Sequence, residues 1–235
     1  MISRITRIAA KVLLSLAVVY AVLVGIALLL TKVLDHSGLT RAEDHVNTGL
    51  ADHRDKPLND LTYLLSGLGN TAAIIGAMVV VAIAMRFALK RWREPIFLIV
   101  AVSAQALVFF CVQLTVTRQR PHVKRLDSSP PTSSFPSGHT GAATALYVAS
   151  ALLVVWYVRR QWVKVLSVTV LLAVPLLVAY GRLYRGMHHP TDVLAAFLNG
   201  LACVAIASLF VLNRRGWGEP DDPSQAPTPV SAGAT

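Results

Sequence analysis

Two arginines, two histidines and an aspartate, Arg120, Arg182, His139, His188 and Asp192, are the residues of this chain whose types and spacing could handle a phosphate. Guanidinium groups match phosphate oxygens, and an imidazole can attack phosphorus or move a proton near neutral pH. All five fall in three polar islands, 117–125, 133–139 and 181–192, that interrupt an otherwise apolar second half. In the third island Arg182 precedes His188 by six residues and Asp192 follows it by four. If the helical turn reaches back to His188, carboxylate and imidazole share one face. Asp192 can then hold the Nδ1 proton and leave Nε2 free to attack, the arrangement of a catalytic triad. The plainer reading is a His-Asp pair that merely starts a helix.

The second island, Ser133-Ser134-Phe135-Pro136-Ser137-Gly138-His139, runs straight into an apolar stretch. Its backbone N–H groups therefore lie at a helix N-terminus, where unpaired donors and the helix dipole favour an anion. Gly138 lets backbone approach closely, and His139 is placed to donate a proton. Capping by Ser137 and Pro136 alone is the alternative.

These islands need a scaffold, and the composition says which kind. The 235 residues are 54% hydrophobic and only 14% charged, too apolar for an ordinary soluble domain. Six windows near the length needed to cross a bilayer stand at 12–30, 64–85, 96–116, 140–158, 163–180 and 193–212. Backbone polar groups in lipid must be satisfied internally, so the expected fold is all-α: an integral membrane bundle of six transmembrane helices. One domain should cover 1–215, followed by a disordered cytoplasmic tail over 216–235 that is rich in Pro, Ser and Ala. The first run is long for a signal peptide and reads as a span.

The net charge of +10 does not point to nucleic acid, because the basic residues cluster at the ends of apolar runs, where lipid headgroups lie. Arg4, Arg7, Lys11, the clusters at 86–93 and 159–164, and Arg214 and Arg215 form one set of ends. The positive-inside rule makes that set cytoplasmic, with both termini inside and the three polar islands at the extracytoplasmic ends of the helices. In the stretch 35–60, Leu39, Val46 and Leu50 stand at helical spacing among charges, as in an interfacial helix. Cys111 and Cys203 sit inside apolar runs and read as small buried hydrophobes. His36, His45, His53 and His189 read as surface residues, without metal-ligand spacing.

Arg120-Pro121, Pro136-Ser137-Gly138-His139 and Arg182-x5-His188-x3-Asp192 together resemble the three signature motifs of the type 2 phosphatidic acid phosphatase superfamily, which also holds the vanadium haloperoxidases. The resemblance implies a lipid-phosphate phosphatase of the plasma membrane that needs no metal or cofactor. In it His188 attacks phosphorus to form a phosphohistidine, His139 protonates the leaving oxygen, and Asp192 orients His188. Arg120, Arg182, the Ser137 hydroxyl and the Gly138 N–H bind the phosphate. Phosphatidic acid, phosphatidylglycerophosphate and polyprenyl diphosphates all fit as substrates; the sequence leaves the choice among them, and the oligomeric state, open.

Two positions depart from the pattern. Gln113 stands where the first motif usually opens with Lys, leaving an uncharged donor for the phosphate, and Gly181 stands where a Ser often precedes the arginine. Arg118, Lys124 and Arg125, in the same loop as Arg120, are candidates to replace the missing cation. The competing functions are a phosphotransferase that passes the group to an acceptor other than water, a haloperoxidase, and a lipid-phosphate-binding protein without turnover.

Overall fold

The computed structural model describes residues 2–35, 37–128 and 132–212, and the described residues are helical with connecting loops. Helix α1 (Ile2–Leu28) continues through a π-helical turn to Val33. Two shorter helices follow, α2 (Gly38–Asp52) and α3 (Lys56–Gly67), and then α4 (Thr71–Leu89), α5 (Arg93–Thr115), α6 (Gly138–Tyr157), α7 (Gln161–Tyr184) and α8 (Pro190–Ala207), the last extended by a π-helical turn to Leu212. Six of these, α1 and α4 to α8 with their extensions, are long and apolar enough to cross a membrane. The expected tail at 216–235 and His36 lie outside the described residues.

Helices α5, α6 and α8 form the centre of the bundle, each burying half or more of its span, while α1, α4 and α7 pack around them with most of their surface outward. Apolar side chains facing outward are expected where the solvent is lipid. Phe97, Leu98, Leu146, Leu153 and Val178 are fully buried where α5, α6 and α7 meet. Leu23, Ala27, Val108, Val112, Phe135 and Cys203 tie α1 to α5 and α8. Both cysteines are free thiols; Cys203 is buried as its surroundings suggested, whereas Cys111 is only half-buried.

The second span starts later than the sequence window at 64–85. The run is broken at Gly67-Leu68-Gly69-Asn70, where the Asn70 side chain accepts from the Ala73 N–H at 2.8 Å and caps a new helix. A Cβ on Gly69 would stand 2.7 Å from Val178 and 2.8 Å from the His139 carbonyl, so the turn is pressed between α6 and α7. The first part of the window therefore belongs to α3, which packs on α7. Helix α2 was expected to be interfacial, and its Leu39 and Val46 are indeed exposed, but the face it buries is polar: Glu43 and Asn47.

The short turns between α4 and α5 and between α6 and α7 lie together, because Arg91 donates to the Tyr157 hydroxyl at 2.5 Å and Tyr157 donates to Glu94 at 2.7 Å. The end of α8 joins them through Arg93 and the Val211 carbonyl. The clusters at 86–93 and 159–164 thus share one end of the bundle, with Trp92, Trp156 and Trp162 exposed among them as in an interfacial aromatic belt. The loop residues 116–128, 132–137 and 185–189 are at the opposite end.

Candidate active site

His188 is aimed by the way α7 stops. Gly186 adopts φ +69°, the left-handed conformation that glycine enters without steric cost. The Met187 N–H reaches back to the Arg182 carbonyl at 3.1 Å and the Gly186 N–H to the Leu183 carbonyl at 3.0 Å, a Schellman closure. A side chain on Gly186 would also meet Val123 at 2.7 Å. Four residues after Gly186, Pro190 opens α8 and the Asp192 carboxylate accepts from the His189 N–H at 2.8 Å, so the two histidines lie in a tight link between two capped helices.

The geometry around His188 differs from the triad pattern in its first contact. Nδ1 lies 2.7 Å from the Ser134 carbonyl, and a carbonyl only accepts, so Nδ1 carries the proton and Nε2 keeps its lone pair. Asp192 stands 3.8 Å from Nδ1, within ion-pair range but beyond hydrogen-bonding range. It sits one layer back, fully buried, accepting from the Ser134 hydroxyl, the His189 N–H and, at 2.5 Å, Arg118. Asp192 holds Ser134 and the turn, and Ser134 holds the ring. Burial pushes the His188 imidazole below its ordinary value; the Asp192 carboxylate opposes this, and the charge of Arg182 adds to the depression.

Arg118 is thus not a replacement for the missing cation. Its other arm bonds Glu43 at 2.7 Å, and Glu43 also accepts from the Thr191 N–H at 2.9 Å and hydroxyl at 2.6 Å. Helix α2 therefore locks onto the start of α8 through its polar face. His189, expected at the surface, is buried there between Asn47 and the Gln119 carbonyl. His45 and His53 are exposed.

A cavity of about 830 Å³ opens in front of His188. His139, Gly138, Arg120 and Arg182 share its wall, so the three islands do converge. Arg120 donates to the Met187 carbonyl at 2.7 Å, and Arg182 to Ser66 and Asp127 at 3.0 Å each. The Nε of each arginine is left without a partner. Among the described residues these two are the cations on that wall; Lys124 and Arg125 do not reach it. Deeper in, Ile74, Val102, Ala106, Phe109 and Ala142 line it, so the polar mouth continues into an apolar groove between α4, α5 and α6.

Of three further expected phosphate ligands, Gly138 and Gln113 line the cavity and Ser137 does not. The Ser137 hydroxyl is fully buried and pairs with Thr140 at 3.1 Å, inside the first turn of α6. Gly138 stays on the cavity wall with the first-turn N–H groups, but the group packed over it is the Phe109 ring, 2.9 Å from where a Cβ would be. Gln113 donates its amide to the Ser133 and Phe135 carbonyls at 3.2 Å each, so it braces the loop that carries Ser134. Its Oε1 has no partner and, as an acceptor, offers nothing to an anion. At the other departure, a Cβ on Gly181 would stand 3.2 Å from the Ser66 N–H nitrogen and the Thr62 carbonyl. The missing side chain admits α3, and α3 brings the Ser66 hydroxyl to Arg182.

Asp127 was not singled out from the sequence, yet it lines the cavity and takes two nitrogens of Arg185 at 2.6 and 2.8 Å besides its bond to Arg182. Burial raises its pKa, but the Arg185 hydrogen bond and the charges of both arginines outweigh this and leave it below the ordinary carboxylate value. It is the single acid in a basic loop between 116 and 137, and that lone opposite charge was the available signal. Arg54 closes the same corner, donating to the Tyr184 carbonyl at 2.6 and 3.0 Å and to the Lys124 carbonyl at 2.5 Å.

The family model described as PAP2 superfamily matches residues 94–216. Phosphatidylglycerophosphatase B of Bacillus subtilis (strain 168) is 26% identical over 179 residues, 74% of this chain and 85% of the relative. Among solved structures, a transmembrane PAP2 type phosphatidylglycerolphosphate phosphatase from Bacillus subtilis superposes with a TM-score of 0.72 at 22% identity, covering 84% of this chain and 94% of the other. LpxE of Aquifex aeolicus superposes at 0.56 with 21% identity, covering 69% of this chain and 92% of the other.

Proposed function

Since the chain belongs to the PAP2 superfamily, we propose that it is a membrane phosphatase that hydrolyses a lipid phosphate or polyprenyl diphosphate through a phosphohistidine. The observation that carries this reading is the His188 ring: Nδ1 is spent on a backbone carbonyl, and the ring faces a cavity walled by two arginines that each keep an unpaired nitrogen. A phosphate there meets a neutral nucleophile and two fixed charges. Phosphoryl transfer asks the protein mainly for position and charge.

In the first step Nε2 of His188 bonds to phosphorus and the P–O bond to the lipid breaks, while His139 gives its proton to the departing oxygen. In the second, His139 takes a proton from water, whose oxygen attacks phosphorus and frees His188. Arg120 and Arg182 offset the charge on the phosphate oxygens in both, with the first-turn N–H groups of α6 beside them. Asp192, behind Ser134, favours the positive charge on the ring. No step calls on a metal.

The apolar groove suits a lipid tail whose headgroup rests at the mouth. The basic and tryptophan-rich end of the bundle is read as cytoplasmic, which puts both termini inside and the site at the extracytoplasmic face of the plasma membrane. The name of the Bacillus relative, phosphatidylglycerophosphatase B, supports a lipid-phosphate substrate.

The test is phosphate release by the detergent-purified chain from phosphatidic acid, phosphatidylglycerophosphate and a polyprenyl diphosphate, with chelator present and His188→Ala alongside. Release by the native chain and none by the variant is expected. Transfer to an added alcohol instead of water would make the enzyme a phosphotransferase, and binding without release would make it a binding protein.

A further inference from the structure

One polar side chain on the cavity wall has no part in the chemistry above. Gln105 lies on α5, eight residues before Gln113 and so about 12 Å lower along the helix axis. It is 2% exposed to the outside, it lines the cavity, and its side-chain amide has no hydrogen bond among the described residues. Its neighbours are satisfied: Thr144 donates to the Thr140 carbonyl at 2.7 Å, Asn199 to the Gln105 backbone carbonyl at 3.3 Å, and Cys203 to the Asn199 side chain at 3.5 Å. The position of the amide is fixed by contact with Gly141, where an added Cβ would fall 2.4 Å from Nε2. Gly141 follows His139 by two residues on α6, which sets the amide just below the catalytic level, where Ile74, Val102, Ala106 and Ala142 make the rest of the wall apolar. An unpaired amide among apolar side chains in a membrane is costly, and such groups mark substrate pathways.

We propose that Gln105 is a specificity-determining residue, donating from Nε2 to an acyl-ester carbonyl of a glycerolipid phosphate. This rests on the lipid-phosphatase reading. With the phosphate held between His188 and the arginines, the first polar group down a glycerolipid is the ester carbonyl, a few bonds beyond the phosphate ester oxygen. It accepts hydrogen bonds and donates none, so it complements an amide N–H. A polyprenyl chain presents only hydrocarbon at that depth and leaves the amide unpaired. Sites built to bond a polar group reject analogues lacking it more strongly than sites built for apolar fit. Gln105 therefore tilts the enzyme toward acyl-ester lipids.

The experiment compares kcat/KM for phosphatidic acid, its dialkyl ether counterpart and a polyprenyl phosphate in the same mixed micelles, using the native full chain, Gln105→Met and His188→Ala. The native chain is expected to favour the ester over the ether about tenfold, the worth of one neutral hydrogen bond. Gln105→Met, similar in volume, is expected to erase that preference while its rates on ether and polyprenyl substrates stay within about twofold of native. Equal native rates on ester and ether would overturn the proposal without recourse to any variant, as would a Gln105→Met loss that is the same on all three lipids. If the native chain releases phosphate from none of them, or His188→Ala releases it as well, the phosphatase reading fails and takes this inference with it. Activity without ester preference removes the Gln105 assignment alone.

Discussion

Asp192→Asn keeps the shape of the side chain and removes its charge, and the site geometry sets what that should cost. The proton on Nδ1 of His188 is held by the Ser134 carbonyl at 2.7 Å, a backbone atom the substitution leaves in place. The imidazole therefore keeps its tautomer. What is lost is attraction between the carboxylate and the positive charge that phosphoryl transfer puts on the ring. At 3.8 Å and an effective dielectric of about 20, that attraction is about 4 kcal/mol, or roughly three decades in rate. Arg118, 2.5 Å from the same carboxylate, offsets part of its field, so the expected fall in kcat is about a hundredfold with KM within about twofold. The assay is steady-state phosphate release from micellar lipid, with melting in detergent to confirm folding; Arg118 keeps Glu43, and the stability loss is expected at about 3 kcal/mol. A fall of ten-thousandfold in a folded variant is the signature of a wrong tautomer and would show that the carboxylate itself holds Nδ1. A fall below about threefold would remove its electrostatic role.

Glu43→Gln breaks the lock between α2 and the start of α8, leaving Arg118 with one carboxylate; it should cost about 3 kcal/mol in stability and lower kcat more than tenfold, and native melting and rate together would refute the lock. Gln113→Met should lower melting and kcat together, because it frees the loop carrying Ser134; a rise in KM alone would instead mark Gln113 as a phosphate ligand. Burial is the main cause holding His188 and His189 below the ordinary histidine value; Asp192 opposes it at both, joined by Glu43 at the second, while Arg182 and Arg120 add to it at the first and Arg118 at the second. The unfolded chain, with both near 6.5, binds more protons just below that pH. Stability is therefore complete above about pH 6.5 and lost as pH falls, by up to about 1.4 kcal/mol per unit for each imidazole. Melting at pH 5.5 should lie below that at pH 7.5, and His189→Asn should weaken the dependence; equal melting at both would contradict it.

The spans were legible because their lengths and apolar runs are dictated by the bilayer, and the convergence of Arg120, His139, Arg182 and His188 on one cavity was legible because those residue types suit a phosphate. The loop break at 67–70 lay inside an apolar run, where hydropathy alone does not register a cap at Asn70. The hold on His188 was not readable, since it is made by the carbonyl of Ser134, an atom every residue carries. Glu43 and Thr191 meet across 148 positions, and nothing local announces the pair. The spacing of Glu43 and Asn47, four apart and so on one side of the helix, was the clue that α2 had a polar surface to bury. The loop contacts of Gln113 and Arg118 were not readable for a shared reason: a donor near a phosphate motif serves either the anion or the loop that shapes the site, and only geometry separates the two.

The central claim, that His188 carries the phosphoryl group, is tested most directly by mixing the native chain with lipid labelled with 32P in its phosphate and quenching within the first turnover. The expected result is label on the protein that is stable to base and labile to acid, located at His188 and missing from His188→Ala. Turnover with no labelled protein at any quench time, or equal label on His188→Ala, would contradict it.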